Sequence, residues 1–257
     1  MISNQNEKYN KVVNYLLTFL IFILFLTLLH GYQCKYITPL ICKDIKFLNN
    51  FILENGPIEN IQSILLLFSI LTLLSLVNKI KFNKIIQVFI ILKTLALIYY
   101  LGEEVSWGQH FFKWNTPQLF NEINNQKETN LHNISNLFDQ LPRSLVMIWC
   151  GFIPVIFYFL NKKFSYENYI NLIILPKNKL LVVSFIFLFF FIPDFIVDKA
   201  NLHPGWYVDG KDVKEAVYYD IFTFNFVERL SEVHELIFCF YFFIYALSFK
   251  QAIKNYY

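Results

Sequence analysis

Charge is scarce in this chain: only 16% of its 257 residues are Asp, Glu, Lys or Arg, where a soluble domain carries about 25%. That shortage excludes both a soluble enzyme and a disordered chain. Hydrophobic residues make up 56% of the sequence and the mean hydropathy is +0.43, more than a water-soluble core can absorb. Arginine is scarcer still, with two residues against 20 lysines. No basic stripe suited to a nucleic-acid backbone exists, so nucleic acid is not an expected partner. Four cysteines are too few for a disulfide scaffold. Cys150 and Cys239 lie inside apolar runs as small hydrophobes, and Cys34 with Cys42 is the plausible pair, a disulfide and free thiols both being open. Missing motifs exclude further classes. There is no G-x-S-x-G elbow, Walker loop or G-x-G-x-x-G, which disfavours serine acyl transfer and nucleotide-driven chemistry. His234-Glu235 begins like a zinc-protease helix, but Phe238 stands where H-e-x-x-h needs its second histidine. Neither an internal repeat nor hydropathy symmetry between the halves is visible, unlike many transporters.

What the chain has in abundance is long apolar runs. A helix needs about 20 mostly apolar residues to cross the hydrocarbon, and six such windows occur, at about 13–30, 60–78, 85–101, 144–161, 180–197 and 230–249. The expected fold is therefore an all-α integral membrane bundle of about six helices, within a range of five to seven, forming a single domain over 1–257. The first run follows Lys8 and Lys11 like a signal peptide. It is read as a retained anchor, because no small-x-small cleavage site follows it. Gly56-Pro57 opens the second, where a proline in the first turn costs no helical hydrogen bond. Half of the 22 basic residues fall in 1–11, 79–84, 162–179 and 250–257, with only Glu7 and Glu167 against them. By the positive-inside rule both termini are cytoplasmic, and the connections at about 31–58, 102–143 and 198–229 face outward. The bias toward Lys, Asn, Ile and Phe is associated with AT-rich genomes and points to a bacterial inner membrane.

The acidic residues gather at the outward ends of these runs. Glu54 and Glu59 flank Gly56-Pro57, Glu103 and Glu104 leave the third run, Asp194 lies near the end of the fifth, and Glu228, Glu232 and Glu235 enter the sixth. Ionisable groups at membrane depth are normally paired or turned to an interior cavity, so several at one level predict a shared polar site. A helix dipole alone would account for Glu59 and Glu228. Adjacent Glu103 and Glu104 repel unless a cation lies near. Lys93, two to three turns back, is expected to snorkel to an interface rather than to neutralise them.

Spacing sharpens the site. Glu228, Glu232 and Glu235 at i, i+4 and i+7 share one helix face, with His234 on another. If the third helix continues past Leu101, then Glu103, Trp107 and His110 share a face too. Glu128 and His132 are again four apart. Glu and His at this spacing, with carboxylates converging from several helices, are how bundles hold metals, and the mixed set suits Zn, Mn or Fe better than Ca. The expected metal ligands are Glu59, Glu104, His110, Glu128, His132 and Glu235; Glu103, Glu104 and Glu232 are the expected acid and base groups. Trp107, Trp114 and Trp206 fit an aromatic belt at headgroup level.

Three stretches taken together, Glu54-Asn55-Gly56-Pro57-Ile58-Glu59, Gly102-Glu103-Glu104-Val105-Ser106-Trp107-Gly108-Gln109 and Glu128-Thr129-Asn130-Leu131-His132-Asn133, resemble a group of uncharacterised bacterial multi-pass membrane proteins. That group carries a G-E-E-x-S-W-G-Q segment followed by E-T-N-L-H-N. The resemblance implies that Glu103, Glu104, Trp107, Gln109, Glu128, Asn130 and His132 belong to a recurring pattern, and it adds no reaction. Three functions follow in order of expectation. The first is a metal-dependent enzyme acting on a lipid-linked or periplasmic small molecule. The second is a cation- or proton-coupled transporter component, and the third a non-catalytic membrane scaffold.

Overall fold

A chain segment inside hydrocarbon has no water for its backbone groups and must close its own hydrogen bonds, which a helix does within one segment. The computed structural model describes residues 2–32, 37, 56–77, 84–124, 127–131, 134–160, 179–199 and 230–256. It is an all-helical membrane bundle, with no strand among the described residues. In chain order the helices are α1 (Ile2–Tyr32), α2 (Pro57–Val77), α3 (Lys84–Glu104), the short α4 (Gln109–Phe112) and α5 (Gln118–Ile123), α6 (Asn136–Met147), α7 (Ile153–Leu160), α8 (Lys179–Lys199) and α9 (Leu230–Tyr256). Five stretches are long and apolar enough to cross a membrane: Glu7–Tyr32, Pro57–Val77, Lys84–Glu104, Leu141–Leu160 and Leu230–Ile253. Of the six expected runs, the one in α8 is shorter, apolar from Lys179 to Pro193.

α9 is the axis of the bundle. Within its apolar window 83% of residues are buried, against 17–39% in the other four. A helix that is apolar all round belongs in the interior. Phe238, Phe240, Tyr241, Tyr245 and Phe249 are almost fully buried along it, with α1, α2 and α8 packed around them. In lipid the gain comes from packing and from buried hydrogen bonds. Tyr9 of α1 bonds Ser248 of α9 at 2.5 Å, and Gln62 Nε2 of α2 donates to the Glu232 carbonyl of α9 at 3.0 Å. Lys179 at the start of α8 reaches Asn14 Oδ1 of α1 at 2.7 Å. These ties place the start of α1, the start of α8 and the end of α9 at one end of the bundle. The start of α2, the end of α3 and the start of α9 lie at the other.

α6 and α7 form one rod interrupted by a π turn over Ile148–Phe152. Pro154 has no N–H for the carbonyl four residues back. That carbonyl, on Cys150, accepts instead from Ser184 Oγ of α8 at 2.5 Å, while Ile153 N–H bonds the Ile148 carbonyl in the wider π spacing. A sequence break is thus converted into a contact between two helices.

Candidate functional site

The end of the bundle that holds the Gly102–Gln109 motif contains two polar assemblies. The first is a cap. α3 stops at Glu104, and the chain turns through Ser106 (φ 46°), Trp107 (φ 55°) and Gly108 (φ 103°). Two successive residues with side chains in the left-handed region are uncommon, and each costs roughly 1–2 kcal/mol. The turn folds the Trp107 ring back onto Gly102, where a Cβ would meet ring carbons at 2.9 Å. Only glycine leaves that space. The ring also meets Tyr99 edge-on, with centroids 6.3 Å apart.

Hydrogen bonds then close the cap on itself. Glu103, buried, accepts from Trp107 Nε1 at 2.8 Å on one oxygen and from the Leu131 N–H at 2.7 Å on the other. Glu128 Oε2 accepts from Ser106 Oγ at 2.6 Å and from Asn130 Nδ2 at 2.9 Å. Asn124 Nδ2 donates to both the carbonyl and the side-chain oxygen of Asn130, each at 2.8 Å. Gln109 Oε1 accepts from Thr129 N–H at 2.8 Å and from its hydroxyl at 2.6 Å, while Gln109 Nε2 reaches Thr116 Oγ1 at 2.8 Å. Charge-assisted bonds of this kind are about twice as strong as neutral ones. Glu103, Trp107, Gln109, Glu128 and Asn130 are therefore brought together in one cap, held by hydrogen bonds among its own side chains and backbone.

The second assembly lies beside the cap, within the helix ends. Glu104 of α3 is within electrostatic reach of Glu235 and Glu232 of α9 and Glu59 of α2, with Arg143 of α6 opposing them. Arg143 pairs with Glu235 at 2.7 Å, and Glu232 is buried in the first turn of α9. The cation that relieves these carboxylates is thus Arg143, and Lys93 takes no part. Glu104 itself makes no hydrogen bond or ion pair among the described residues. At the same end of the bundle Gln62 is fully buried, its Nε2 donating to the Glu232 carbonyl and its Oε1 without a partner among those residues; His234 Nε2 is likewise buried and unpartnered. His234 faces away from Glu232, toward the Phe187 and Phe191 rings of α8, at 5.6 and 6.0 Å. One turn deeper, Tyr100 of α3 lies near Cys239 of α9 and meets the Phe242 ring edge-on.

Several spacing expectations come out differently. Helical periodicity does not run past Glu104, so Trp107 reaches Glu103 through the left-handed turn rather than along a shared helix face. The backbone at 127–131 is not helical, so Glu128 does not stand on a helix face. His132, Glu54, Glu228, Cys34, Cys42 and Trp206 lie outside the described residues, as do the side chains of His110 and Asp194. The six residues expected to ligate a metal divide: Glu128 belongs to the cap, and Glu59, Glu104 and Glu235 to the cluster. Among the described residues no three His, Cys, Asp or Glu side chains stand together as a metal would require.

Arg143 and Gln62 were not singled out by motif or spacing. Each had a signal. Arg143 is one of only two arginines, set after Pro142 at the mouth of an apolar run, and Gln62 is an amide one turn below Glu59 in another. Comparison with protein-family models, with curated proteins and with solved structures finds no match. The site's chemistry is left to speak for function.

Proposed function

We propose that this protein is a membrane enzyme of the bacterial inner membrane. It performs proton transfer on a lipid-linked or periplasmic small molecule at the outward-facing cluster around Glu104. The observation that carries the reading is the contrast at Glu104: a half-buried carboxylate facing Glu59, Glu232 and Glu235, with no hydrogen-bond partner of its own among the described residues, while its neighbour Glu103 has both oxygens bonded. Polar groups drawn out of water are almost always bonded, and a carboxylate left unbonded among like charges is characteristic of a site that meets its partner in use. Glu104 acts as the base that accepts the substrate's proton. Arg143, held by Glu235, faces negative charge that develops on the substrate. Gln62 Oε1 accepts a hydrogen bond from the bound molecule. The basic residues at the opposite end, Lys8, Lys11, Lys84, Lys179 and Lys250 among those described, support cytoplasmic termini and an outward cluster.

A metal-assisted form of the same proposal brings Zn, Mn or Fe to Glu59, Glu104 and Glu235 together with His110 and His132. It requires donors beyond the described side chains, since Glu235 pairs with Arg143 and no three acidic, His or Cys groups stand together among those described. A second reading, a cation- or proton-coupled transporter component, draws on the polar thread that descends from Glu104 through Tyr100 and Cys239. The test is to incubate detergent-purified protein with a total bacterial lipid extract and compare products by mass spectrometry. Wild type is expected to convert a component that Glu104→Gln leaves untouched, while the exposed control Glu7→Gln behaves as wild type. Identical extracts after wild type and Glu104→Gln would overturn the enzyme reading and direct attention to proton flux in liposomes.

A further inference from the structure

The cluster at the bundle end leaves one ionisable side chain unused. Lys93 lies midway along α3, and its ammonium points into the bundle, toward neither interface. Nζ stands 4.4 Å from the centre of the Trp149 ring, 4.7 Å from Phe242 and 5.3 Å from Tyr245. Three aromatic faces from the α6–α7 rod and α9 thus hold it. Aromatic faces attract a cation through their quadrupole but do not cancel its charge. Among the described residues Lys93 has no carboxylate partner and no hydrogen-bond acceptor.

Trp149, which it faces, and Tyr241, which stacks on the Tyr245 ring it faces, share this want of an acceptor. Trp149 Nε1 and the Tyr241 hydroxyl are buried and unpartnered among the described residues. Tyr241 stacks on Tyr245, with centroids 6.3 Å apart. Cys150 is within electrostatic reach of both Lys93 and Tyr241, and its carbonyl is already taken by Ser184. The π turn that carries Trp149 and Cys150 is the one irregular stretch in the α6–α7 rod. Such turns recur at functional sites. An ammonium, an indole N–H and a phenol O–H, all at membrane depth and all lacking acceptors, form the inverse of the acceptor-rich cluster above. A buried charge requires a partner of opposite sign.

We propose that Lys93, Trp149 and Tyr241 form a binding site for a small monovalent anion of halide size, between α3, the π turn and α9. The anion accepts from the Lys93 ammonium and from the indole N–H, with the Tyr241 hydroxyl completing its shell. The site is independent of the reaction proposed at Glu104.

Equilibrium dialysis of the detergent-purified protein against chloride, with gluconate holding ionic strength constant, tests this directly. Saturable, stoichiometric chloride binding is expected in wild type and in Lys93→Arg, with none in Lys93→Met. Trp149→Phe keeps the ring and removes the donor, so its affinity is expected to fall by about tenfold. Glu104→Gln is expected to bind chloride as wild type does. No saturable chloride in wild type would mean that ordered water satisfies these donors, and would overturn the proposal. Equal binding by Trp149→Phe and wild type would overturn it as well, even if Lys93→Met failed to fold.

Discussion

Glu103 and Glu104 share a peptide bond, yet Glu103 turns both carboxylate oxygens into the cap, bonded by Trp107 Nε1 and the Leu131 N–H, whereas Glu104 faces Glu59, Glu232, Glu235 and Arg143 with no bond of its own among the described residues. The difference separates two jobs that residue type alone cannot distinguish. A carboxylate whose lone pairs are filled by the protein holds structure. One left among like charges has free capacity for a ligand or a proton. The cap, with its left-handed turn, fixes the end of α3 and thereby aims Glu104. Residues such as Asn130 and Gln109 are thus positioning groups, and their loss acts through geometry.

The largest expected effect tests the cap. Glu103→Ala removes two bonds to a charged acceptor and leaves the part-buried Trp107 and Leu131 donors without it, at a cost of about 3 kcal/mol. A midpoint in thermal unfolding close to that of wild type would break the comparison from the cap side. Gly102→Ala forces the Trp107 ring off the helix, and overpacking of this kind costs about 1–3 kcal/mol. It should also change the near-UV circular dichroism of the indole. An unchanged spectrum would mean that the ring does not rest on Gly102. Arg143→Gln leaves Glu235 without its partner inside an acidic cluster; because the arginine side chain is 34% exposed, the expected loss is about 1–2 kcal/mol rather than the larger value for a fully buried pair. Restoring stability with Glu235→Gln in the same chain would sharpen the assignment. Trp107→Phe keeps the packing and removes one hydrogen bond, about 1 kcal/mol, and should lower activity without removing it.

The bundle was legible because apolar runs of membrane length have one backbone solution in hydrocarbon, and the convergence of Glu59, Glu104, Glu232 and Glu235 was legible because those carboxylates sit at run ends that alternate between two levels. What was hidden depends on events that periodicity does not encode. Helical spacing placed Trp107 and His110 on a common face with Glu103, but the chain leaves the helix at Glu104 and Trp107 returns through a positive φ. Nothing in the order of these residues announces that Asn124, Glu128 and Asn130 will bond one another. Lys93 was expected to snorkel, since a long side chain usually finds water; three aromatic rings contributed by distant segments hold it inside. Neither motif nor spacing singles out Arg143, although the scarcity of arginine in the chain marks it.

The division of labour between the two adjacent carboxylates is tested most directly by measuring thermal unfolding of detergent-purified Glu103→Gln and Glu104→Gln side by side with wild type. Glu103→Gln presents an N–H₂ group to a donor and should lower stability by about 2 kcal/mol. Glu104→Gln relieves repulsion among four carboxylates and should leave stability unchanged or raise it by up to about 1 kcal/mol. Two losses of similar size would show that Glu104 is as much a part of the scaffold as its neighbour, and would contradict its assignment to an open acid–base site.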